Sequence, residues 1–165
     1  MILSLDIATT MGVTEETNHS TVTYEIKQAN PVLQYKALKS LIGSRPIDLI
    51  LVEEFVYFGS GNSKKTIANL LERLGYLTNR LLEDGYIIKR IYPTSYQSAL
   101  IKKFNLQEAL KLVKGKSKKK KVIHKYLSSL YKLPFTNNET DALGMIIYHT
   151  NVVPKVVKRA KNVFS

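Results

Sequence analysis

The stretch from Ile47 to Val52 is apolar at every position except Asp48. A central parallel strand of an α/β sheet, covered on both faces, requires a sequence of that kind. A second apolar run, Ile2-Leu3-Ser4-Leu5, opens the chain and should lie beside it. Both runs end in acid: Asp6 follows the first, and Glu53-Glu54 follow Leu49-Ile50-Leu51-Val52. Ligands of open α/β sheets collect outside the carboxyl ends of the strands, so these acids stand where chemistry is expected.

The rest of the chain fits the same layering. Thr21 to Ile26 alternates with period two, as a half-exposed strand should, and is expected to join the first strand through antiparallel turns. Val32, Leu33, Tyr35, Leu38 and Leu41 predict a helix from Pro31 to Leu41, ended by Gly43 and Pro46. After a loop from Phe55 to Gly61, Asn62 or Ser63 can cap a long helix carrying Ile67, Leu70, Leu71, Leu74, Leu77 and Leu81, with Gly85 beyond its end. Tyr86 to Tyr92 reads as a further strand stopped by Pro93, followed by helical patterns separated by basic turns. Antiparallel strands followed by strand-helix-strand units define an α/β domain with helices on both faces of the sheet. The chain has no internal repeat, and its 165 residues suit one domain spanning 1–165.

Lys and Arg number 25 against 13 Asp and Glu, a formal charge of +12, which favours a polyanionic partner. Nucleic acid is the commonest such partner, with acidic membranes as the alternative. The absence of cysteine excludes thiolate zinc sites, Cys nucleophiles and disulfides, and fits a reducing compartment. No apolar stretch approaches the roughly 20 residues of a membrane span, and no basic segment followed by an apolar one precedes the first strand. A soluble cytoplasmic protein that is not in a membrane is therefore expected.

A third acid, Asp141, opens the helical pattern Asp141-Ala142-Leu143-Gly144-Met145-Ile146-Ile147. Two carboxylates at the tips of neighbouring strands and one on a late helix can gather hard divalent cations in an oxygen-lined cleft, an arrangement suited to phosphodiester hydrolysis. His19, His124 and His149 are scattered without metal-ligand spacing.

Four segments together resemble one known family. They are Leu3-Ser4-Leu5-Asp6-Ile7-Ala8-Thr9-Thr10-Met11-Gly12, Ile50-Leu51-Val52-Glu53-Glu54-Phe55, Tyr92-Pro93 and Thr140-Asp141-Ala142-Leu143-Gly144. In this order and spacing they resemble the RuvC-type Holliday junction resolvases of the ribonuclease H-like (retroviral integrase) superfamily, most closely the small phage members. The resemblance implies a ribonuclease H-like fold with a central mixed five-stranded sheet. It also implies a homodimeric endonuclease that resolves four-way DNA junctions by paired symmetric nicks in a host cytoplasm. Asp6, Glu53 and Asp141 correspond to acids that hold two Mg2+ or Mn2+ ions, with Glu54 as the alternative to Glu53. Such ions stand about 3.5 to 4 Å apart, one activating water and one at the leaving 3′ oxygen.

The chain departs from the family at two places. Relatives carry Asp or His three residues before the final Asp. Here that residue is Asn138, which can ligate through its carbonyl oxygen, with Glu139 beside it as the alternative. The glycine usual near Ala8 is missing, and the segment from Asp6 to Gly12 is one residue shorter than in many relatives.

Lys111, Lys114, Lys116, Lys118, Lys119, Lys120 and Lys121 form a basic stretch between two helical patterns, suited to phosphate contact and to salt-dependent binding. In the family a lysine of this segment supports catalysis, and Lys119 aligns best with it, leaving Lys116, Lys118, Lys120 and Lys121 as DNA contacts. Tyr57 and Phe58 are candidates to stack on an opened base, whereas Phe55 is expected to be buried. The long helix, with Leu71 and Leu82 widening its apolar surface, is the expected dimer contact. A non-catalytic nucleic-acid-binding module on the same fold, or a ribonuclease H-like nuclease acting on RNA or RNA-DNA hybrids, are the other functions compatible with these residues.

Overall fold

The computed structural model describes residues 1–18, 20–28, 30–55, 64–115 and 117–160. Three strands open the chain: β1 (Ile2–Asp6), β2 (Thr10–Glu16) and β3 (Thr21–Lys27). They pair antiparallel in sequence order. The expected pairing of the first and third strands is thus mediated by β2, which sequence patterning passed over. Its Met11 and Val13 face one core, but its other face carries Thr10, Gly12 and Thr14 and has no apolar signature.

Helix α1 (Pro31–Ile42) leads to β4 (Leu49–Glu53), which pairs parallel with β1. The Asn30 side chain accepts from Val32 N–H at 2.8 Å and caps α1. Helix α2 (Lys64–Glu83) is followed by β5 (Ile88–Ile91), parallel to β4. The chain continues through α3 (Pro93–Lys103), α4 (Gln107–Leu112), α5 (Lys118–Tyr131) and α6 (Asn137–Thr150), then a short β6 (Val157–Arg159). The sheet order is β5-β4-β1-β2-β3-β6, so it has six strands where five were expected. The additional strand, β6, is three residues of basic sequence whose pairing with β3 no hydrophobic pattern announces.

Alternation along the strands divides the core in two. Leu3, Leu5, Val13, Ile50 and Val52 join Leu38, Leu74, Leu77 and Leu81 beneath α1 and α2. Leu51 and Ile91 join Tyr96, Leu100, Ile123, Leu127, Leu143 and Ile146 beneath α3, α5 and α6. Full burial of one such aliphatic side chain is worth about 1.5–3 kcal/mol. The spacing of α1 is only half of its story, because Val32 and Leu33 are exposed while Gln34 is fully buried.

On the second face, α6 lies across β1, β2 and β3. Two rows of residues run beneath it, Ser4-Thr14-Thr23 and Asp6-Gly12-Glu25, each linked by strand register. These rows lack bulky apolar side chains, so the helix comes down close to the sheet. A Cβ on Gly12 would meet the Asn138 backbone oxygen at 2.1 Å, so only glycine fits there. That approach places the first turns of α6 against the end of β1.

Candidate active site

Register brings the first two acids together. Leu5 pairs with Val52 across parallel β1 and β4, so Asp6 and Glu53 emerge side by side at the carboxyl end of the sheet. Glu54 accepts from Arg90 Nη1 at both carboxylate oxygens, at 3.1 Å. Both glutamates line the cavity at the strand ends, but Glu53 is bonded to Tyr96 within the carboxylate cluster and Glu54 is ion-paired with Arg90.

Asp141 arrives from α6, which begins at Asn137 rather than at Asp141. The Thr136 hydroxyl caps it, and Glu139 closes the reciprocal bond to the Thr136 N–H at 2.7 Å. Glu139 is fully buried and takes Arg159 Nε at 2.8 Å, so it serves the helix end and β6 rather than the cluster. One turn before Asp141, Asn138 donates from Nδ2 to Thr10 O at 2.6 Å. It lines the same cavity as Asp6 and Glu53, and its carbonyl oxygen is not engaged by that bond.

Tyr96 of α3 ties the cluster together. Its hydroxyl lies 2.7 Å from Glu53 Oε2 and 2.9 Å from Asp141 Oδ1. Burial, then the charges of Glu53 and Asp141, push the phenol far above its ordinary range, so it stays protonated. A phenol has one proton and donates to one carboxylate at a time. The cluster thus resists full ionisation. Burial holds the Asp6 carboxyl well above the usual range, reinforced by Glu53 and Asp141. Burial and then Asp141 push Glu53 up to about 7, and burial also raises Asp141 against the pull of Lys120.

The positive group in the cluster is Lys120, whose ammonium is ion-paired with Asp141 Oδ2. Burial alone would lower its pKa, but Asp141, Asp6 and Glu53 carry it above the ordinary value. Lys119, the lysine singled out from the sequence, reaches Ser98 Oγ at 2.8 Å instead, so Lys120 is the lysine at the carboxylates. Lys118 and Lys121 are exposed on the first turn of α5. Lys116, Tyr57 and Phe58 lie outside the described residues.

A cavity of about 140 Å³ opens here, lined by Asp6, Glu53, Glu54, Lys120 and Asn138 over Ile7, Phe55, Leu70 and Leu74. A larger one of about 730 Å³ lies at the other end of the sheet, beside Met1, Glu16 and Arg45, and contains none of the clustered acids. The small cavity has the chemistry. Its donors are carboxylate and amide oxygens, the ligand type hard divalent cations prefer. Asp6 Oδ2 is buried with no hydrogen-bond partner among the described residues, an acceptor of the kind such a cation would satisfy. Among the described residues, however, no three His, Asp or Glu side chains stand close enough together to hold a metal ion as they are. The donor set fits such an ion, provided that Lys120 and the carboxylates rearrange around it.

Sequence reasoning missed Tyr96, which nothing in Tyr92-Pro93-Thr94-Ser95-Tyr96 distinguishes from an ordinary core aromatic. It also missed the support of the loop after β1: Gln34 Nε2 donates to Ala8 O at 2.9 Å, and Arg73 Nη1 donates to Gln34 Oε1 at 2.9 Å. A buried Gln in an amphipathic helix was the available signal.

The sheet order, the strand-end acids and the late helix across the sheet define a ribonuclease H-like α/β fold. Solved structures share this fold. The chain is similar to RuvC of Thermus thermophilus in complex with a Holliday junction substrate, with a TM-score of 0.59 and 16% identity over 90% of this chain and 91% of that one. It is also similar to a second Thermus thermophilus RuvC structure, with a TM-score of 0.50 and 16% identity over 90% and 92% of the two chains. No family model matches the sequence, and no curated protein matches it. The likeness is one of fold, and it extends over nearly the whole chain. Among the described residues no helix is long and apolar enough to cross a membrane.

Proposed function

We propose that this protein is a cation-dependent, structure-selective DNA endonuclease that resolves four-way junctions by paired nicks. The observation carrying this reading is that Asp6 and Glu53 line one cavity while Asp141 adjoins it, joined to Glu53 through Tyr96 and to the cavity's Lys120 by an ion pair, on a fold shared with RuvC. Asp6, Glu53, Asp141 and the carbonyl oxygen of Asn138 would hold Mg2+ or Mn2+, two per site. When bound, such cations supply activation of water and neutralisation of the phosphate.

The chain's own residues do the rest. Tyr96 orients two of the acids, Gly12 seats Asn138 and Asp141 beside Asp6, and Lys120 offers an ammonium to the scissile phosphate from the same cavity. Lys118, Lys119 and Lys121 extend positive charge along the first turn of α5, where the backbone of a branched DNA would be held. Lys116, Tyr57 and Phe58 are assigned to DNA contact from the sequence alone.

Resolving a junction in one encounter needs two active sites, and therefore two copies. Support for a homodimer comes from α2, where Leu71 and Leu82 are 49% and 52% exposed. They lie about three helical turns apart and share one face, with Gly75 open between them.

A substrate panel tests the proposal: a four-way junction, a fork, a linear duplex and an RNA-DNA hybrid, each with Mg2+ and with Mn2+. Preferential, symmetric nicking of the junction is expected. Preferential cleavage of the hybrid would reassign the protein to ribonuclease chemistry. Tight junction binding without cleavage under any cation would make it a binding module.

A further inference from the structure

We propose that Lys120 is a built-in counter-cation, its ammonium neutralising the carboxylate site in the cation-free protein and leaving Asp141 when a divalent cation enters. The inference rests on the proposed cation site and concerns how that site is filled. Asp141 is only 2% exposed, and a carboxylate that deep requires a partner charge. Lys120 supplies it at Oδ2, on the same cavity that Asp6 and Glu53 line. Meanwhile Asp6 Oδ2 is buried without a hydrogen-bond partner among the described residues, so one ammonium serves a pocket with more acceptor capacity than it can satisfy.

Geometry and charge make the two occupants exclusive. Ligation of a divalent cation by Asp141 Oδ2 replaces the ammonium contact there, and two positive centres packed against one carboxylate repel. Lysine is suited to leave, because its charge is a compact head on a flexible four-carbon stem. Its side chain is 32% exposed, so the head has a path to the cavity mouth, where an incoming phosphate needs a cation. Lys119, from the same turn, reaches Ser98 and takes no part in this exchange.

Calorimetric titration of Mn2+ into the wild-type protein, Lys120→Gln and Lys119→Gln tests the exchange without requiring cleavage. Lys120→Gln is expected to bind Mn2+ at least about tenfold more tightly than wild type, about 1.4 kcal/mol, while Lys119→Gln stays within about twofold. Lys120→Gln should also melt at lower temperature than wild type without cation and gain more from Mn2+. Equal or weaker Mn2+ binding by folded Lys120→Gln overturns the exchange but leaves the cation site standing. No Mn2+ binding by wild type or by either variant overturns both. Should Lys120→Gln fold only with Mn2+ present, the cation has replaced the ammonium, as proposed.

Should Lys120→Gln not fold at all, the wild-type protein answers through the nitrogen-15 signal of the Lys120 ammonium, assigned with Lys120→Arg. Saturating Mg2+ is expected to shift that signal and turn a slowly exchanging ammonium into a fast one. A signal unmoved by saturating Mg2+ overturns the exchange.

Discussion

The backbone of Gly12 supports the backbone of Asn138 so closely that a methyl group between them would sit 2.1 Å from the Asn138 oxygen. Because the obstacle is backbone, it cannot rotate aside, and α6 must lift. Gly12→Ala is predicted to cost about 1–3 kcal/mol of stability, the usual range for overpacking. It should also impair cleavage more than junction binding, because the lift carries Asp141 away from Asp6. Denaturant unfolding combined with single-turnover cleavage checks both parts.

Tyr96→Phe removes the hydroxyl that Glu53 and Asp141 share. Leaving buried acceptors without their donor costs about 1–3 kcal/mol. The hydroxyl lowers the pKa of Glu53, so its loss lets burial push that group further up. The pH-rate profile should therefore move towards alkaline pH, with KM for the junction little changed. An unshifted profile would limit Tyr96 to packing.

Stability of the cation-free protein should fall as pH rises from about 4.5 to about 7. Glu53 titrates at about 7 when folded, against an ordinary 4.5. In that window the folded state holds the extra proton, so raising the pH favours unfolding. Asp6 and Asp141, also raised, act in the same sense, whereas His149, lowered by burial, acts oppositely below its ordinary 6.5. Comparison with Glu53→Gln isolates the contribution of Glu53: thermal melts of the variant should show a shallower slope, and Mg2+ should flatten that of wild type.

Replacing Lys118, Lys119 and Lys121 together with Gln is predicted to weaken junction binding and reduce the slope of log K against log salt. Each lost phosphate contact is worth about 0.9 of that slope on duplex DNA. Titrations at several salt concentrations measure it. An unchanged slope would take the start of α5 off the DNA surface.

Much of this arrangement was legible from apolar runs that end in acid. Ile2 to Leu5 and Ile47 to Val52 announce parallel strands, and the tips of parallel strands adjoin, so Asp6 and Glu53 could be placed together before any coordinates. Three features resisted the same reasoning for physical reasons. The face of β2 beneath α6 is Thr and Gly because the helix lies too close for larger side chains, which erases the apolar signature of a strand. Consecutive lysines on a helix differ by about 100° in direction, so only the packing of α5 against α6 separates Lys120 from Lys119. Tyr96 reads as core from its sequence because its ring is core; its hydroxyl meets Glu53 and Asp141 only through the packing of α3.

The central claim is that Asp6, Glu53 and Asp141 act on DNA as one cation-binding unit. Asp6→Asn, assayed on a four-way junction in Mg2+ for cleavage and in its absence for binding, tests it most directly. The expected result is a cleavage rate reduced at least about a hundredfold, equivalent to about 2.7 kcal/mol of lost transition-state stabilisation. Junction affinity should be equal to or tighter than wild type, because one charge repelling phosphate is gone. Cleavage by Asp6→Asn at the wild-type rate would contradict the account.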